Sequence, residues 1–407
     1  MTQFNITLNG EDIKGLFTGD SKDKAFANLV QKVLNQVLDA QATEQIGAQK
    51  YERSDDRNAY RNGTRDRSMN VRIGQLTLAI PRLRNGNFST TLFHEYQRSE
   101  QALVLSMMEM VINGVSTRKV KEITQQLCGT EFSKSTVSAL CLGLDPIVAE
   151  FRNRPLDKSY LFVIVDALYT RARENNIVRN KGLMIAIGII TDGHREIIGF
   201  AVDDTESEES WNKFFISLKD RGLSNIDIMT SDSHMGLVNA IKKQFHNASW
   251  QRCQTHFSKN LLDKVPNTRK AEVKAHLTDI YNAPDKDSAS ARKADMVARY
   301  KKEFPKAMKL LDDSFDDITA VFSLPEHYRK RLRTSNCIER LNEEIRRRER
   351  VIRIFPNEKS IIRLLGALLM EQHEKWISGR KYFNMEEYHD YVKDRPTAMN
   401  PREGVAI

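Results

Sequence analysis

Apolar positions recur at different spacings along this 407-residue chain, and each spacing predicts a different kind of element. Near the start the spacing is helical. Phe26, Val30, Val33, Leu34 and Val37 share one face, with Ser21 placed to cap the helix. Over residues 71–80 it alternates, Val-Arg-Ile-Gly-Gln-Leu-Thr-Leu-Ala-Ile, predicting a strand that Pro81 ends. Residues 100–152 are helical again. Ser116-Thr117 caps a helix through Val120, Ile123 and Leu127, Cys128-Gly129 breaks it, and Ser133 or Ser135 starts a second with Val137, Leu140 and Leu142 inward.

From Ser159 the rhythm changes to short unbroken apolar runs, the mark of strands buried on both faces. Leu161-Phe162-Val163-Ile164-Val165-Asp166 ends on a carboxylate. Gly182–Ile190 and Glu196–Val202 form a hairpin around Thr191-Asp192-Gly193-His194. Residues 207–218 are an amphipathic helix stopped by Arg221-Gly222. Ile226–Asp232 is a short strand that again finishes on Asp, Gly236–Ile241 opens a helix, and Ala248–Cys253 reads as a fifth strand. Three antiparallel strands, a helix, a parallel strand and a helix make a mixed sheet covered on both faces, the ribonuclease-H-like α/β arrangement. In that fold catalytic carboxylates lie on the first strand and just after the fourth, where Asp166 and Asp232 fall. Taken alone, Asp166 reads sooner as a turn cap leading into Ala167-Leu168-Tyr169.

Residues 257–330 are charged and helical, punctuated by Pro266, Pro284, Pro305 and Pro325, and read as an all-helical insertion. Arg333–Arg348 follows as a helix capped near Thr334, Ser335 or Asn336. At about 100° per residue, Ile338, Leu341 and Ile345 define its buried stripe. Glu339, Asn342 and Arg346 flank that stripe, while Glu343 and Glu344 point outward. A metal ligand must face the sheet, so Glu339 is chosen, with Glu343 second.

The domains expected are residues 1–50, helical and able to dimerise; 51–99, an arginine-rich segment with short strands; and 100–155, a helix-turn-helix. Residues 156–256 with 331–360 form the catalytic domain around the 257–330 insertion, and 361–407 are a helical C-terminal region.

Composition narrows the partner. Lys and Arg total 63 against 54 Asp and Glu, a net +9 with a pI near 9.2, which favours a polyanion. Four scattered cysteines are no disulfide framework and fit a reducing cytosol, with nucleoid association. Neither a signal peptide nor an apolar run of membrane-spanning length is visible, so no membrane partner is expected. Residues 51–67 hold Arg53, Arg57, Arg61, Arg65 and Arg67 with two tyrosines and a turn signal at Asn62-Gly63. They read either as DNA contacts or as a solvated loop whose arginines pair with Glu52, Asp55, Asp56 and Asp66. In the second helix of the 116–142 pair, Lys134, Ser135, Thr136 and Ser138 would face a major groove, though many such pairs bind no DNA. Cys253 and His256 are half of a zinc site without a clear second half, His246 and His276 being distant candidates.

The chain resembles the Mutator-type transposases of bacterial insertion sequences, within the DDE transposase and retroviral-integrase superfamily. The resemblance rests on Tyr51-Glu-Arg, Tyr60-Arg-Asn-Gly, Gly114-Val-Ser-Thr-Arg118, Gly193-His-Arg-Glu-Ile-Ile-Gly199, Ser231-Asp232 with Gly236-Leu237, Gln251-Arg-Cys253-Gln-Thr-His256, Thr334-Ser-Asn336 with Glu339-Arg-Leu-Asn342, and Arg346-Arg-Arg with Phe355-Pro-Asn357. It implies that Asp166, Asp232 and Glu339 are the DDE triad and the metal ligands. It also implies recognition of terminal inverted repeats, a homodimeric DNA complex, and copying-out through a circular intermediate. Three carboxylates suit Mg²⁺, with Mn²⁺ able to substitute. Arg346 and Arg347 are further DNA contacts. Cys253, His256, Asn336 and Asn342 are structural, and no zinc is expected. The rivals are a nuclease or resolvase of the same fold that cuts without joining, and a catalytically silent DNA-binding regulator.

Overall fold

The computed structural model describes residues 6–11, 13–14, 22–53, 57–71, 73–84, 88–90, 92, 99, 101–128 and 131–393, with backbone alone at 22–24 and 128. The chain divides into two units, Met1–Gly143 and Leu144–Ile407.

In the first unit, helix α1 (Lys22–Ile46) lies on an antiparallel pair, β1 (Arg61–Val71) and β2 (Gly74–Leu83). The alternation of β2 turns Leu76, Leu78 and Ile80 inward, where they meet Leu38, Leu34 and Val30 of α1. β2 has a free edge, and α1 satisfies part of it. Gln31 Oε1 accepts the N–H of Thr77 at 2.8 Å and Asn35 Oδ1 that of Ala79 at 2.9 Å. The first unit departs from the sequence pattern at Pro81, at Asn62-Gly63 and at Phe26. Pro81 lies inside β2, opposite Thr64, because an edge strand tolerates a residue without an N–H. Asn62-Gly63 makes no turn; it sits at an irregularity of β1 where Gly63 takes φ +71°. Ser21 lies outside the described residues, and Phe26, expected on the buried face of α1, is exposed.

Helices α2 (Gln101–Ile112), α3 (Thr117–Cys128) and α4 (Lys134–Cys141) share a core of Leu103, Met107, Val120, Phe132 and Val137. Ser116 Oγ accepts the N–H of Lys119 at 3.2 Å and Ser133 Oγ that of Thr136 at 3.0 Å, which caps both helices. Gly129 lies outside the described residues. Leu127 and Leu142 are exposed rather than inward, and Leu142 already lies beyond the last residue of α4.

The second unit opens with α5 (Leu144–Asn153) and is built on a five-stranded mixed sheet of order β5-β4-β3-β6-β7. Its strands are β3 (Tyr160–Glu174), β4 (Ile177–Ile190), β5 (Arg195–Asp203), β6 (Ile228–Ser231) and β7 (Ser249–Arg252). β4 runs antiparallel to both β3 and β5, while β6 pairs in parallel with β3 and β7 in parallel with β6. Helix α6 (Glu208–Asp220) and α7 (Met235–Gln244) cover one face, where Trp211, Phe214, Phe215 and Leu237 pack on Val163, Val165 and Ala186. Trp211 is fully buried, so Trp211→Ala would cost about 3–5 kcal/mol.

β3 does not end at Asp166. It continues for eight residues to a turn at Asn175-Asn176, both with positive φ. The continuation alternates, with Leu168, Thr170 and Ala172 buried and Tyr169, Arg171 and Arg173 exposed, so it is strand with one solvated face.

Helices α8 (Gln254–Leu262), α9 (Lys270–Tyr281), α10 (Lys286–Tyr300), α11 (Pro305–Asp313), α12 (Phe315–Thr319) and α13 (Glu326–Leu332) follow β7. Most pack on a core of their own around Phe257, Leu277, Tyr300, Met308 and Ile318. The prolines stand at their boundaries, Pro305 as the first residue of α11 and Pro325 as the cap of α13. The chain then returns through α14 (Asn336–Ile352) to β3, and α15 (Glu358–Ile377) and α16 (Glu386–Lys393) complete the unit. No described helix is long and apolar enough to cross a membrane.

Candidate active site

Register brings the two aspartates together. β3 and β6 pair in parallel from Phe162–Ile228 to Ile164–Thr230, and each aspartate lies two residues beyond that last pair. β6 stops at Ser231, so Asp232 leaves the sheet beside Asp166 at the C-terminal end of the short strands. The Asp232 carboxylate accepts the backbone N–H of His234, which pins it in the turn before α7.

Helix α14 reaches the same rim. Its buried stripe is Cys337, Ile338, Leu341, Ile345 and Arg348. Asn342 Nδ2 donates to Asp166 Oδ2 at 3.0 Å across 176 residues of sequence, which sets the helix flank against β3. Glu339 lies one turn earlier on this flank. Its Oε1 is buried without a hydrogen-bond partner among the described residues, as is Asn342 Oδ1. Glu343 is exposed; Glu344 is half-buried and pairs with Arg347 and Arg348. Asn336 is the exposed first residue of the helix.

Cys253 and His256 stand at the start of α8, and the structure adds a third donor to them. Cys253 Sγ, a His256 nitrogen and a Glu339 oxygen lie within 4.8 Å of one another. No fourth donor joins them among the described residues, and a closed zinc site takes four. The buried sulfur also accepts from Ser335, the cap of α14, through Oγ at 3.3 Å and the backbone N–H at 3.4 Å. This contact ties the start of α14 to the start of α8.

The electrostatics are those of crowded carboxylates. Burial pushes Asp166 up to about 6. The negative charges of Asp232 and Glu206 add to this, while His256 and the Ala167 N–H oppose it. Burial also raises Glu206, with Asp232 adding and His234 opposing. The neighbouring Cys253 sulfur lifts His256 to about 9 against its own burial, helped by the charges of Asp166 and Asp232. Burial pushes the Cys253 thiol up, but His256 and Ser335 outweigh it and hold the thiol below its usual value. A cationic imidazole therefore faces the carboxylates at neutral pH. Glu206 had no place in the sequence reading. Its only local signal was standing just before the Ser207 capping box of α6.

The expected DNA contacts are scattered. Arg61 is committed to Asp39 at 2.8 Å and Thr43 at 2.5 Å on α1. Arg57 donates to the Gln49 carbonyl at 3.1 Å and lies over Tyr60. Arg53 and Arg65 are exposed and form no ion pair among the described residues; Arg67 is half-buried. Asp55 and Asp56 lie outside the described residues. Lys134, Ser135 and Thr136 are all exposed in the first turn of α4, with the two hydroxyls bonded to Ser133 Oγ. Arg346 is exposed on α14, and Arg347 pairs with Glu344 at 2.6 Å.

A family model described as "Transposase, Mutator family" matches residues 1–379. The transposase for insertion sequence element IS256 in transposon Tn4001 of Staphylococcus aureus is 45% identical over 391 residues, covering 95% of this chain and all of that protein. The transposase for insertion sequence element ISRM5 of Rhizobium meliloti is 39% identical over 92% of this chain and 94% of its own length. Among solved structures, a Drosophila P element transposase strand transfer complex covers 78% of this chain and 90% of its own, at 12% identity and a TM-score of 0.32.

Proposed function

The chain belongs to the Mutator family of transposases, and from that premise we propose that it cuts and joins the DNA of an insertion sequence at a centre of Asp166, Asp232 and Glu339. The observation that carries the reading is the Asn342–Asp166 hydrogen bond, because it sets the helix of the third carboxylate against the strand of the first. The strand order and directions support a ribonuclease-H-like catalytic domain, and the α3–α4 pair supports a helix-turn-helix.

The residues fit a hard divalent cation. Three carboxylates offer oxygen ligands, and the partnerless buried Oε1 of Glu339 would gain a partner on metal binding. Asp166, Asp232 and Glu339 would hold Mg²⁺ or Mn²⁺, which when bound in a pair activates the attacking oxygen and stabilises the leaving one. The chain's own residues supply the geometry. Asn342 and the Ala167 N–H fix the two oxygens of Asp166, the His234 N–H fixes Asp232, and Cys253 with Ser335 fixes the start of the helix that carries Glu339. Water first breaks a phosphodiester at the element's end and frees a 3′-hydroxyl. That hydroxyl then attacks a second phosphodiester, joining one strand while the other leaves, with no covalent protein intermediate.

Double-stranded DNA is the partner: the terminal inverted repeats and the target, bound by a homodimer in the cytoplasm at the nucleoid. Arg53, Arg65, Arg67 and Lys134 of the first unit, and separately Arg346 and Arg347 of the second, are proposed to meet its phosphates, with Ser135 and Thr136 beside Lys134. Incubation of the purified chain with end-containing DNA and Mg²⁺ tests the reading. Joined products support it, whereas cleavage without joining identifies a nuclease or resolvase, and binding alone a silent regulator.

A further inference from the structure

Glu206 lies on the segment between β5 and α6, and the turn that carries Asp232 is packed directly against that segment. Gly236 makes the approach possible. A Cβ there would stand 2.6 Å from the Glu208 nitrogen and 2.9 Å from the Ser207 carbonyl carbon, so a side chain would force the two apart. His234 spans the junction. Its backbone N–H holds the Asp232 carboxylate, and its ring Nδ1 stands 3.7 Å from Glu206 Oε1. Glu206 is itself held in place. The same oxygen accepts from Nε1 of the fully buried Trp211 at 3.3 Å, and the Glu206 side chain is only 13% exposed. A carboxylate that burial disfavours is thus anchored to the core on one side and to the Asp232 turn on the other.

We propose that Glu206 is a fourth carboxylate of the centre, a positioning residue that sets Asp232 through His234 and strengthens the site's hold on a divalent cation. The proposal rests on the reading of Asp166, Asp232 and Glu339 as the triad. Glu206 touches no reacting atom. It acts as the groups behind metal ligands do, by fixing the orientation of a ligand and adding negative charge behind it.

The test is Mn²⁺ binding to the full-length protein without DNA, measured by titration calorimetry, beside thermal unfolding in EDTA. Glu206→Gln keeps an acceptor for Trp211 but loses the charge. It should weaken Mn²⁺ binding by about ten-fold, the usual effect of removing a group behind a ligand, with little change in unfolding temperature. His234→Ala should weaken binding to a similar degree. The double variant should be no weaker than either single one, because both act through one contact. Glu206→Asp should recover part of the affinity. If Asp232→Asn abolishes Mn²⁺ binding while Glu206→Gln stays within two-fold of the parent, the proposal is overturned and the triad stands. If Asp232→Asn binds Mn²⁺ as the parent does and still joins DNA, the triad reading falls, and the proposal with it.

Discussion

Asp166→Asn should make the metal-free protein more stable and inactive at once. The Asp166 carboxyl is pushed from its ordinary 3.8 up to about 6, first by burial and then by the charges of Asp232 and Glu206. A raised carboxyl pKa means that the folded state binds the proton more tightly than the unfolded one. The folded state is therefore favoured at low pH and penalised as pH rises through the window from about 4 to about 6. A displacement of roughly two units corresponds to about 3 kcal/mol at pH 7.5. Asparagine removes that penalty and keeps the contacts. Its Oδ1 still accepts from Ala167, and Asn342 needs only to turn its amide so that its partnerless Oδ1 receives the new N–H. At roughly 2–4 °C per kcal/mol for a unit of this size, the unfolding temperature in EDTA should rise by about 6–12 °C at pH 7.5. The gain should shrink towards zero near pH 4. Saturating Mg²⁺ should raise the parent, by about 2.7 kcal/mol at a hundred times its dissociation constant, and leave the variant unmoved. A variant no more stable than the parent at pH 7.5 would refute the argument. So would a gain that does not change with pH, since that would be an effect of shape and not of charge.

Asp232→Asn and Glu339→Gln should each abolish cleavage and strand transfer while end binding in a mobility-shift assay persists. Glu343→Gln, on the exposed side of α14, should remain active, and a dead Glu343→Gln beside an active Glu339→Gln would reassign the third carboxylate. Arg65→Ala should lower the slope of log affinity against log salt by about 0.9, one phosphate contact. Arg61→Ala, by contrast, should lower the melting temperature through loss of its Asp39 and Thr43 contacts with no change of slope. Cys253→Ser should lower thermal stability by loosening the Ser335 contact, and elemental analysis of the parent should find no zinc; about one zinc per chain, lost in the variant, would turn the three donors into a metal site.

Asp166 was legible because it follows the unbroken apolar run Leu161–Val165, and Asp232 because it closes the short strand-like stretch from Ile226. Helix geometry separated Glu339 from Glu343 for the same kind of reason: a buried stripe fixes which flank faces the sheet. Where sequence reading fell short, the missing information was tertiary. The continuation of β3 past Asp166 alternates weakly, with Ala and Thr among its inward positions, and only the pairing with β4 makes it a strand. Pro81 sits inside a strand because β2 happens to be an edge. Arg61 found its partner on a helix 22 residues earlier, which no local rule predicts. Glu206 was illegible because its neighbours, Thr205 and Ser207, are those of any helix start; its meaning comes from the Asp232 turn that Gly236 allows against it.

The return of α14 to β3 also orders events in time. Asn342 follows Asp166 by 176 residues, with the whole helical insertion between them. At roughly 5–20 residues per second of synthesis, the stretch from Asp232 to Glu339 takes roughly 5–20 s, so a nascent chain carries both aspartates for that long before Glu339 exists. If Glu339 completes the centre as proposed, the chain in that interval could hold DNA without cutting it. On the same reading, a chain that stops within the insertion would stay in that condition permanently and compete with the complete protein for DNA.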